Sequence, residues 1–300
     1  MTAADIRHED AEPEVSRRLL ESSATLSYDP ATEIDWAAPL PEDGYGLNPE
    51  WSTLYGTPLW DEMSERQRVA LTRHEVCSIM STGIWFEMIL QQMILRDQYA
   101  KNPANPEFQF ALTEIADECR HSIMFARTCQ KLGVPAYFPR RHVLELARLF
   151  KSTASAEVAY GGTLVAEEVL DVMQRDWMRG ENVLDIVRTS SRIHVVEESR
   201  HMKFARHEVR EHMAGVSPAR RYTSGVLISL GAYFIVTSLV NEGVYRAVGL
   251  DSGRALAAVA ANAHRKSMMR NACAGLMDFL GENGLLPRPA VALYRRVHML

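Results

Sequence analysis

Cysteine is scarce in this chain, with four residues among 300, and none of them forms a Cys-x-x-Cys pair. Cys77, Cys119, Cys129 and Cys273 lie in segments of apolar periodicity, so neither a disulfide framework nor a thiolate zinc site is indicated. The first residues are acidic and carry neither the basic nor the apolar part of a secretion signal. The sequence therefore predicts a cytoplasmic protein in a reducing compartment.

The chain also lacks an excess of positive charge. Its 33 Lys and Arg stand against 38 Asp and Glu, a net charge of −5, which argues against a nucleic-acid partner. With 47% apolar residues, the chain is long enough to bury a large core. We therefore expect a soluble globular protein.

One stretch lacks charge altogether. Residues 222–241 reach the length of a bilayer span without an ionisable acid or base. Hydroxyl and glycine residues dilute this run. We therefore predict that this stretch is a buried core helix. A membrane-spanning helix is the alternative.

Strand signals are nearly absent, and helical patterns dominate after an unusual first segment. Proline and acidic residues are concentrated in residues 1–58, which predicts an extended, partly disordered segment ahead of a helical domain at 59–300. Beyond residue 64, Gly, Asn and Pro separate long stretches of helical spacing. The predicted helices cover 65–99, 107–132, 143–179, 183–213, 218–248 and 252–280. Helices of this length predict an all-α fold built on an antiparallel bundle.

A short pattern, Glu-x-x-His, occurs twice in the helical part. Its two copies are Glu118-x-x-His121 and Glu198-x-x-His201. Positions i and i+3 lie on one face of a helix, so each pair can direct a carboxylate and an imidazole at one metal ion. A single copy is a weak signal, because short motifs of this kind also arise by chance.

The spacing of two further glutamates makes the pattern more specific. Glu87 precedes Glu118 by 31 residues, and Glu167 precedes Glu198 by 31 residues, so the set recurs at an offset of 80. Glu87 and Glu167 lie in largely apolar helices, where a buried carboxylate needs a cation. The six side chains predict a di-metal site in a ferritin-like four-helix bundle core with additional C-terminal helices. Surface side chains on solvated helix faces are the alternative.

A seventh candidate ligand is His194, which precedes Glu198 by four residues and shares its helical face. A satisfied histidine at the edge of the core is the alternative. Oxygen and imidazole donors without thiolate favour iron or manganese over structural zinc. We therefore expect two Fe ions, with Mn or a mixed Mn/Fe pair as the alternative.

These residues resemble the signature of the AurF-like di-iron oxygenases, the p-aminobenzoate N-oxygenase family, over about residues 65–215. The family pattern is a Glu, then Glu-x-x-His, then a Glu, then His-x-x-x-Glu-x-x-His. In this chain it reads Glu87, Glu118, His121, Glu167, His194, Glu198 and His201. The resemblance implies a di-iron site that uses O₂ as co-substrate to oxygenate an arylamine nitrogen, with no catalytic residues beyond the metal ligands.

The acids and arginines beside the ligands resemble the Asp-Glu-x-Arg-His motif of bacterial di-iron monooxygenases. That likeness implies that Asp117 and Glu197 accept the outer N–H groups of ligand histidines. Arg120 and Arg200 are the arginines that could pair with these acids. Solvated charge pairs are the alternative interpretation.

Three functions remain open from the sequence. N-oxygenation of an amine is the favoured one, and C–H hydroxylation or desaturation at the same kind of site is the second. A non-enzymatic ferritin-like iron binder is the third, which the length of the chain disfavours. The expected partners are a small-molecule substrate, an amine, and an external electron donor such as a ferredoxin or a reductase; a homodimer is a further expectation.

The positions expected to face a substrate pocket lie one or two turns from Glu87 and Glu167. Most are apolar or small, and none is Arg or Lys. Such a lining suits a neutral aromatic amine and an acyl chain equally well. The positions are Met80, Gly83, Ile84, Gln91, Ile94, Tyr160, Thr163, Leu164, Leu170 and Asp171.

Overall fold

The computed structural model describes residues 12–300, and nearly all regular structure in this range is helical. A short 3₁₀ turn covers Pro49–Trp51, and an isolated β-bridge pairs Tyr45 with Val183. The α-helices in chain order are α1 (Glu12–Thr25), α2 (Pro30–Glu33), α3 (Pro58–Glu62), α4 (Glu65–Gln98), α5 (Pro106–Lys131), α6 (Arg141–Thr153), α7 (Ala156–Trp177), α8 (Asp185–Met213), α9 (Pro218–Ser238), α10 (Gly243–Ala247), α11 (Ser252–Ala261), α12 (Ala263–Glu282) and α13 (Arg288–Arg296).

Four of these helices form the central bundle. Helices α4 and α5 pack as one hairpin, and α7 and α8 pack as a second. The hairpins join through contacts of α4 with α7 and of α5 with α8, so each helix of the bundle touches two others. The predicted all-α, ferritin-like fold is confirmed, and α9 to α13 are the additional C-terminal helices.

Local sequence signals explain where the bundle helices begin and end. Helix α4 starts with a capping box, in which the Gln67 N–H donates to Ser64 Oγ and the Ser64 N–H donates to Gln67 Oε1. Helix α5 starts with Pro106, whose ring fixes a helical φ angle and whose missing N–H costs nothing in the first turn. After α5, Gly133 adopts a φ of 67°, which favours glycine and ends the helix.

The predicted helix over 143–179 is two helices, α6 and α7. Ala154 leaves the helical conformation, and the Arg96 side chain of α4 donates to the main-chain carbonyls of Lys151, at 2.5 Å, and Ala154. This arginine satisfies carbonyl groups that a continuous helix would have paired internally. A contact from a distant helix thus determines the break, which the local sequence does not reveal. Likewise, the predicted helix over 252–280 divides at Asn262, whose amide donates to the carbonyls of Thr53 and Tyr55.

The segment predicted as extended is largely folded onto the bundle from residue 12 onward. Helix α1 packs against α5 and α8, and its Leu19 is buried. Val15 and Leu19, four residues apart, give α1 an apolar face that the abundance of proline nearby obscured. The part of the prediction before residue 12 lies outside the described residues, and the division into a first segment and a domain at 59–300 stays a prediction.

One helical stretch in the described range, Pro218–Ala247, is long and apolar enough to cross a membrane, with a mean hydropathy of 1.8. In the structure, 44% of its most apolar part is buried. Its first portion, α9, packs against α7 and α13. The absence of a membrane span stays a prediction.

A buried carboxylate joins the start of α7 to α9. Both oxygens of Glu157 accept hydrogen bonds from the Arg220 guanidinium at 2.9 Å, and the Ser224 hydroxyl donates to Oε1 at 2.9 Å. Burial alone would raise the pKa of Glu157, but the hydrogen bonds from Arg220 and neighbouring donors outweigh it and lower the pKa to about 2.

Replacing Glu157 by Gln should therefore lower the free energy of unfolding at neutral pH. The stabilisation by the ionised carboxylate is complete above its unfolded-state pKa of 4.5 and is lost as the pH falls toward 2. Urea unfolding of parent and variant between pH 7 and pH 2 should show a difference that shrinks in this window. Glu145→Gln, at an exposed ion pair with Arg148, is the control with a small effect throughout. A difference that stays constant across this range would contradict the linkage.

Candidate metal centre

The interior of the bundle brings together the seven side chains predicted as metal ligands. Each is at most 3% exposed. Helix α4 supplies Glu87, α5 supplies Glu118 and His121, α7 supplies Glu167, and α8 supplies His194, Glu198 and His201.

Two of the histidines direct their Nδ1 atoms at the same pair of glutamates. His121 Nδ1 lies 3.4 Å from Glu118 Oε2 and 3.2 Å from Glu198 Oε1. His201 Nδ1 lies 3.2 Å from Glu118 Oε1 and 3.1 Å from Glu198 Oε1. Glu118 and Glu198 therefore occupy the middle of the cluster, where a carboxylate could contact two metal ions.

The third histidine, His194, directs Nε2 rather than Nδ1 at the glutamates. His194 Nε2 lies 3.7 Å from Glu198 Oε1, 3.9 Å from Glu87 Oε1 and 4.0 Å from Glu167 Oε2. Its Nδ1 is buried without a hydrogen-bond partner. His194 thus connects Glu87 and Glu167 with the middle of the cluster through Nε2.

The carboxylates of the cluster leave several buried oxygens without a hydrogen-bond partner. Burial of an unpaired carboxylate oxygen is costly, so these atoms fit a site for cations. Three overlapping sets of donor atoms each lie within 4.8 Å of one another, and the donors are oxygen and imidazole nitrogen, which suits iron or manganese. The unpartnered oxygens are Glu87 Oε1, Glu118 Oε1, Glu167 Oε2 and Glu198 Oε2.

Burial and neighbouring charges shift the protonation of the cluster. Burial raises the pKa of Glu87 and of Glu167 well above the usual range, and the other carboxylates add to this effect. Burial lowers the pKa of His194 to about 4, which leaves a neutral imidazole with a free lone pair for a metal. Burial would also lower the pKa of His121 and of His201, but the charges of neighbouring carboxylates and the hydrogen bonds that the imidazoles donate to them outweigh it and hold both pKa values well above the usual range.

The outer nitrogens of two histidines meet acids from the opposite helix. Glu197 Oε2 of α8 lies 2.7 Å from His121 Nε2 of α5. Asp117 Oδ2 of α5 lies 3.2 Å from His201 Nε2 of α8. Each acid directly precedes a candidate ligand glutamate. Each of the two helices thus supplies one carboxylate to a histidine of the other helix. Such contacts set the tautomer and the orientation of a metal-binding imidazole.

The two arginines approach these acids differently. Arg120 is partly exposed and its Nη2 donates to Asp117 Oδ1. Arg200 is buried, and its Nη2 lies 3.8 Å from Asp117 Oδ2 and 3.9 Å from Glu197 Oε1. The connection between α1 and α2 adds a further donor, because the Tyr28 N–H bonds to Glu197 Oε1 at 3.0 Å.

One buried acid beside the cluster is absent from the sequence prediction. Glu114 lies one turn before Glu118 on α5, and neither of its oxygens has a hydrogen-bond partner. It forms a set with Glu118 and His201 whose donor atoms lie within 4.8 Å of one another. Burial raises the pKa of Glu114 well above the usual range. The i, i+4 spacing from Glu118 on a buried face is the signal that could have identified it.

An apolar cavity of about 230 Å³ lies between α4, α6, α7 and α9, and Glu167 is the candidate ligand that contributes to its wall. Thr163 lines it as predicted, whereas the other four predicted positions on α7 (Tyr160, Leu164, Leu170 and Asp171) and all five on α4 do not. The cavity lies against the face of α4 that packs on α6. The α4 residues in its wall are Trp85, Phe86, Ile89, Leu90 and Met93.

Comparison with known proteins gives one family and a small group of relatives. A family model described as P-aminobenzoate N-oxygenase AurF matches residues 9–284. Two uncharacterized proteins of Mycobacterium tuberculosis and one of Mycobacterium bovis are each 26% identical to this chain over 222 residues. These matches cover 71% of the chain, which spans 65% of the length of the curated relatives.

Proposed function

Because the chain belongs to the p-aminobenzoate N-oxygenase AurF family, a di-iron oxygenase family, we propose that its buried cluster holds two iron ions and that the protein oxygenates an amine nitrogen. The supporting observation is the convergence of four glutamates and three histidines in the bundle, with carboxylate oxygens that have no other partner. When bound, the iron pair supplies the electrons that activate O₂.

Residues from both hairpins would bind the metal pair. Glu118 and Glu198 lie between the histidines, and Glu87 and Glu167 approach from α4 and α7. The acids at the outer histidine nitrogens hold the rings in place. The reaction consumes an amine, O₂, two electrons and two protons, and it gives a hydroxylamine and water. The electrons come from an external donor such as a ferredoxin or a reductase, and we propose a cytoplasmic protein that also forms a homodimer.

A second candidate function is hydroxylation or desaturation of a C–H bond at the same cluster. It is favoured by the almost wholly apolar cavity next to Glu167, which contains no basic side chain in the described part of the chain. Such a cavity would also receive an acyl chain.

Product analysis separates the two candidates and is expected to favour N-oxygenation. The iron-loaded, chemically reduced protein is mixed with ¹⁸O₂ and a panel of neutral arylamines and acyl compounds, and products are identified by mass spectrometry. We expect a hydroxylamine or a more oxidised nitrogen product that contains ¹⁸O. Label on carbon, or loss of two hydrogens, would support the second candidate. Iron oxidation without any product would contradict both and favour an iron-binding role; the same protein without iron is the control.

A further inference from the structure

We propose that the cavity beside Glu167 binds a neutral, hydrophobic substrate that carries no carboxylate. This inference rests on the proposed function for the chemistry at the metal centre, but it concerns binding and can be tested without turnover. A preference for neutral substrates would distinguish this chain from an enzyme that binds p-aminobenzoate, which is an anion at neutral pH.

The wall of the cavity determines which charge it accepts. In the part of the chain that the structure describes, the wall contains one ionisable side chain, Glu167, and no Lys or Arg. Its other polar side-chain groups are the hydroxyl groups of Thr153, Thr163 and Ser238 and the indole N–H of Trp85. With its amine directed at the metal centre, a substrate carboxylate in this cavity would lie among apolar side chains and lose its hydration without gaining a basic partner, which is strongly unfavourable. An uncharged amine or hydrocarbon group avoids this cost.

Helix α6 forms the outer wall of the cavity and offers the route of access. None of its residues is buried, although Val143, Ala147 and Phe150 line the cavity. Its last turn is held to α4 by polar contacts, from Arg96 to main-chain carbonyls and from Lys151 to Gln92. A helix with few buried apolar contacts can open at low cost in free energy. Substrate can therefore pass beneath α6 without disturbing the bundle.

Two glycines keep the cavity open. A Cβ atom at Gly162 would lie 3.7 Å from Phe150 Cζ, and one at Gly231 would lie 4.0 Å from the same atom, which are ordinary contact distances. Gly225, by contrast, needs its small size, because a Cβ atom there would lie 2.6 Å from the Leu285 carbonyl oxygen. Close packing does not require glycine at 162 or 231, where it disfavours the helix relative to alanine. The free space that these glycines leave belongs to the cavity.

The charge preference is tested with two para-substituted anilines, one neutral and one anionic at neutral pH. Binding of 4-butylaniline and of 4-aminobenzoate to the full iron-loaded chain, without reductant, is measured by calorimetry. We expect 4-butylaniline to bind more tightly by about tenfold or more, because the wall offers the carboxylate of 4-aminobenzoate no basic side chain. Thr153→Arg, at the exposed edge of the wall, should strengthen 4-aminobenzoate binding and reduce this difference. Equal affinities in the parent would overturn the proposal.

The location of the site is tested by filling the cavity. Gly231→Leu should weaken 4-butylaniline binding by about tenfold, and the smaller change Gly162→Ala should weaken it less while raising the Tm. Gly275→Leu on α12 is the matched control, because nothing lies within 4 Å of its Cβ position. Unchanged binding in Gly231→Leu, with a parent-like Tm, would overturn the proposal. Binding as expected without any oxygenated product would contradict the proposed function alone.

Discussion

Iron should be lost from the protein when either Glu118 or His201 is replaced by alanine, and the Tm should fall. Glu118 lies between two histidines, and His201 contacts both middle glutamates. Either change leaves other carboxylates buried without their cation. Breaking a buried charge cluster in this way lowers the free energy of unfolding by about 3–5 kcal/mol. At this chain length we expect a fall in Tm on the order of 10 °C. Elemental analysis of iron and calorimetric melting, with and without added ferrous iron, measure both effects.

A buried acid outside the cluster provides the matched control. Glu157→Gln alters a carboxylate on α7 that bonds to Arg220, so it should change stability and leave two iron ions per chain in place. The parent should gain stability from added iron, because a ligand that binds only the folded state stabilises it. Full iron content and parent-like melting in both alanine variants would contradict the metal centre. A parent that holds zinc, which iron cannot replace, would contradict the choice of metal.

Helical periodicity explains why so much of this cluster could be predicted from the sequence. His194, Glu198 and His201 share a face because i, i+4 and i+7 positions line up on any α-helix. The repeat of 31 residues between Glu87 and Glu118, and again in the second hairpin, follows from two helix pairs of similar length. Neither inference depends on how the helices are rotated against one another.

The features that the sequence did not reveal depend on contacts between distant elements. The orientation of His194 depends on the rings of His121 and Phe125, whose centroids lie 4.7 Å and 5.0 Å away. The break between α6 and α7 depends on Arg96 of another helix. The cavity lies against a different face of α4 than predicted, because α6 packs there. The amino-acid sequence of one chain carries no direct signal for these long-range placements.

The connection between α1 and α2 is the most distant element that reaches the cluster. The Tyr28 N–H and the Ser27 hydroxyl both donate to Glu197 Oε1, from about 170 residues earlier in the chain. The other oxygen of Glu197 faces His121 Nε2. Proline content predicted an extended segment here. In the structure this segment hydrogen-bonds to Glu197, the acid that orients the candidate ligand His121.

Glu197→Gln should therefore weaken iron binding by about 10- to 100-fold, the usual effect of removing a carboxylate behind a metal-binding histidine. The amide keeps the shape of the side chain but no longer stabilises the His121 N–H by its charge. Asp117→Asn, the equivalent change behind His201, should have an effect of the same size, because the two helices exchange these acids symmetrically. Iron affinity is measured by competition with a chelator.

The control for these variants is Asp185→Asn, which removes an exposed acid from the first turn of the same helix, α8, and should leave the iron affinity unchanged. If Glu197→Gln and Asp117→Asn bound iron as tightly as the parent while melting normally, the two acids would be structural ion pairs with Arg200 and Arg120. A loss confined to Glu197→Gln would instead point to the α1–α2 connection, since Tyr28 and Ser27 bond to that acid and not to Asp117. Equal losses in both would show that orientation of the imidazoles, on which the metal centre depends, is shared between α5 and α8.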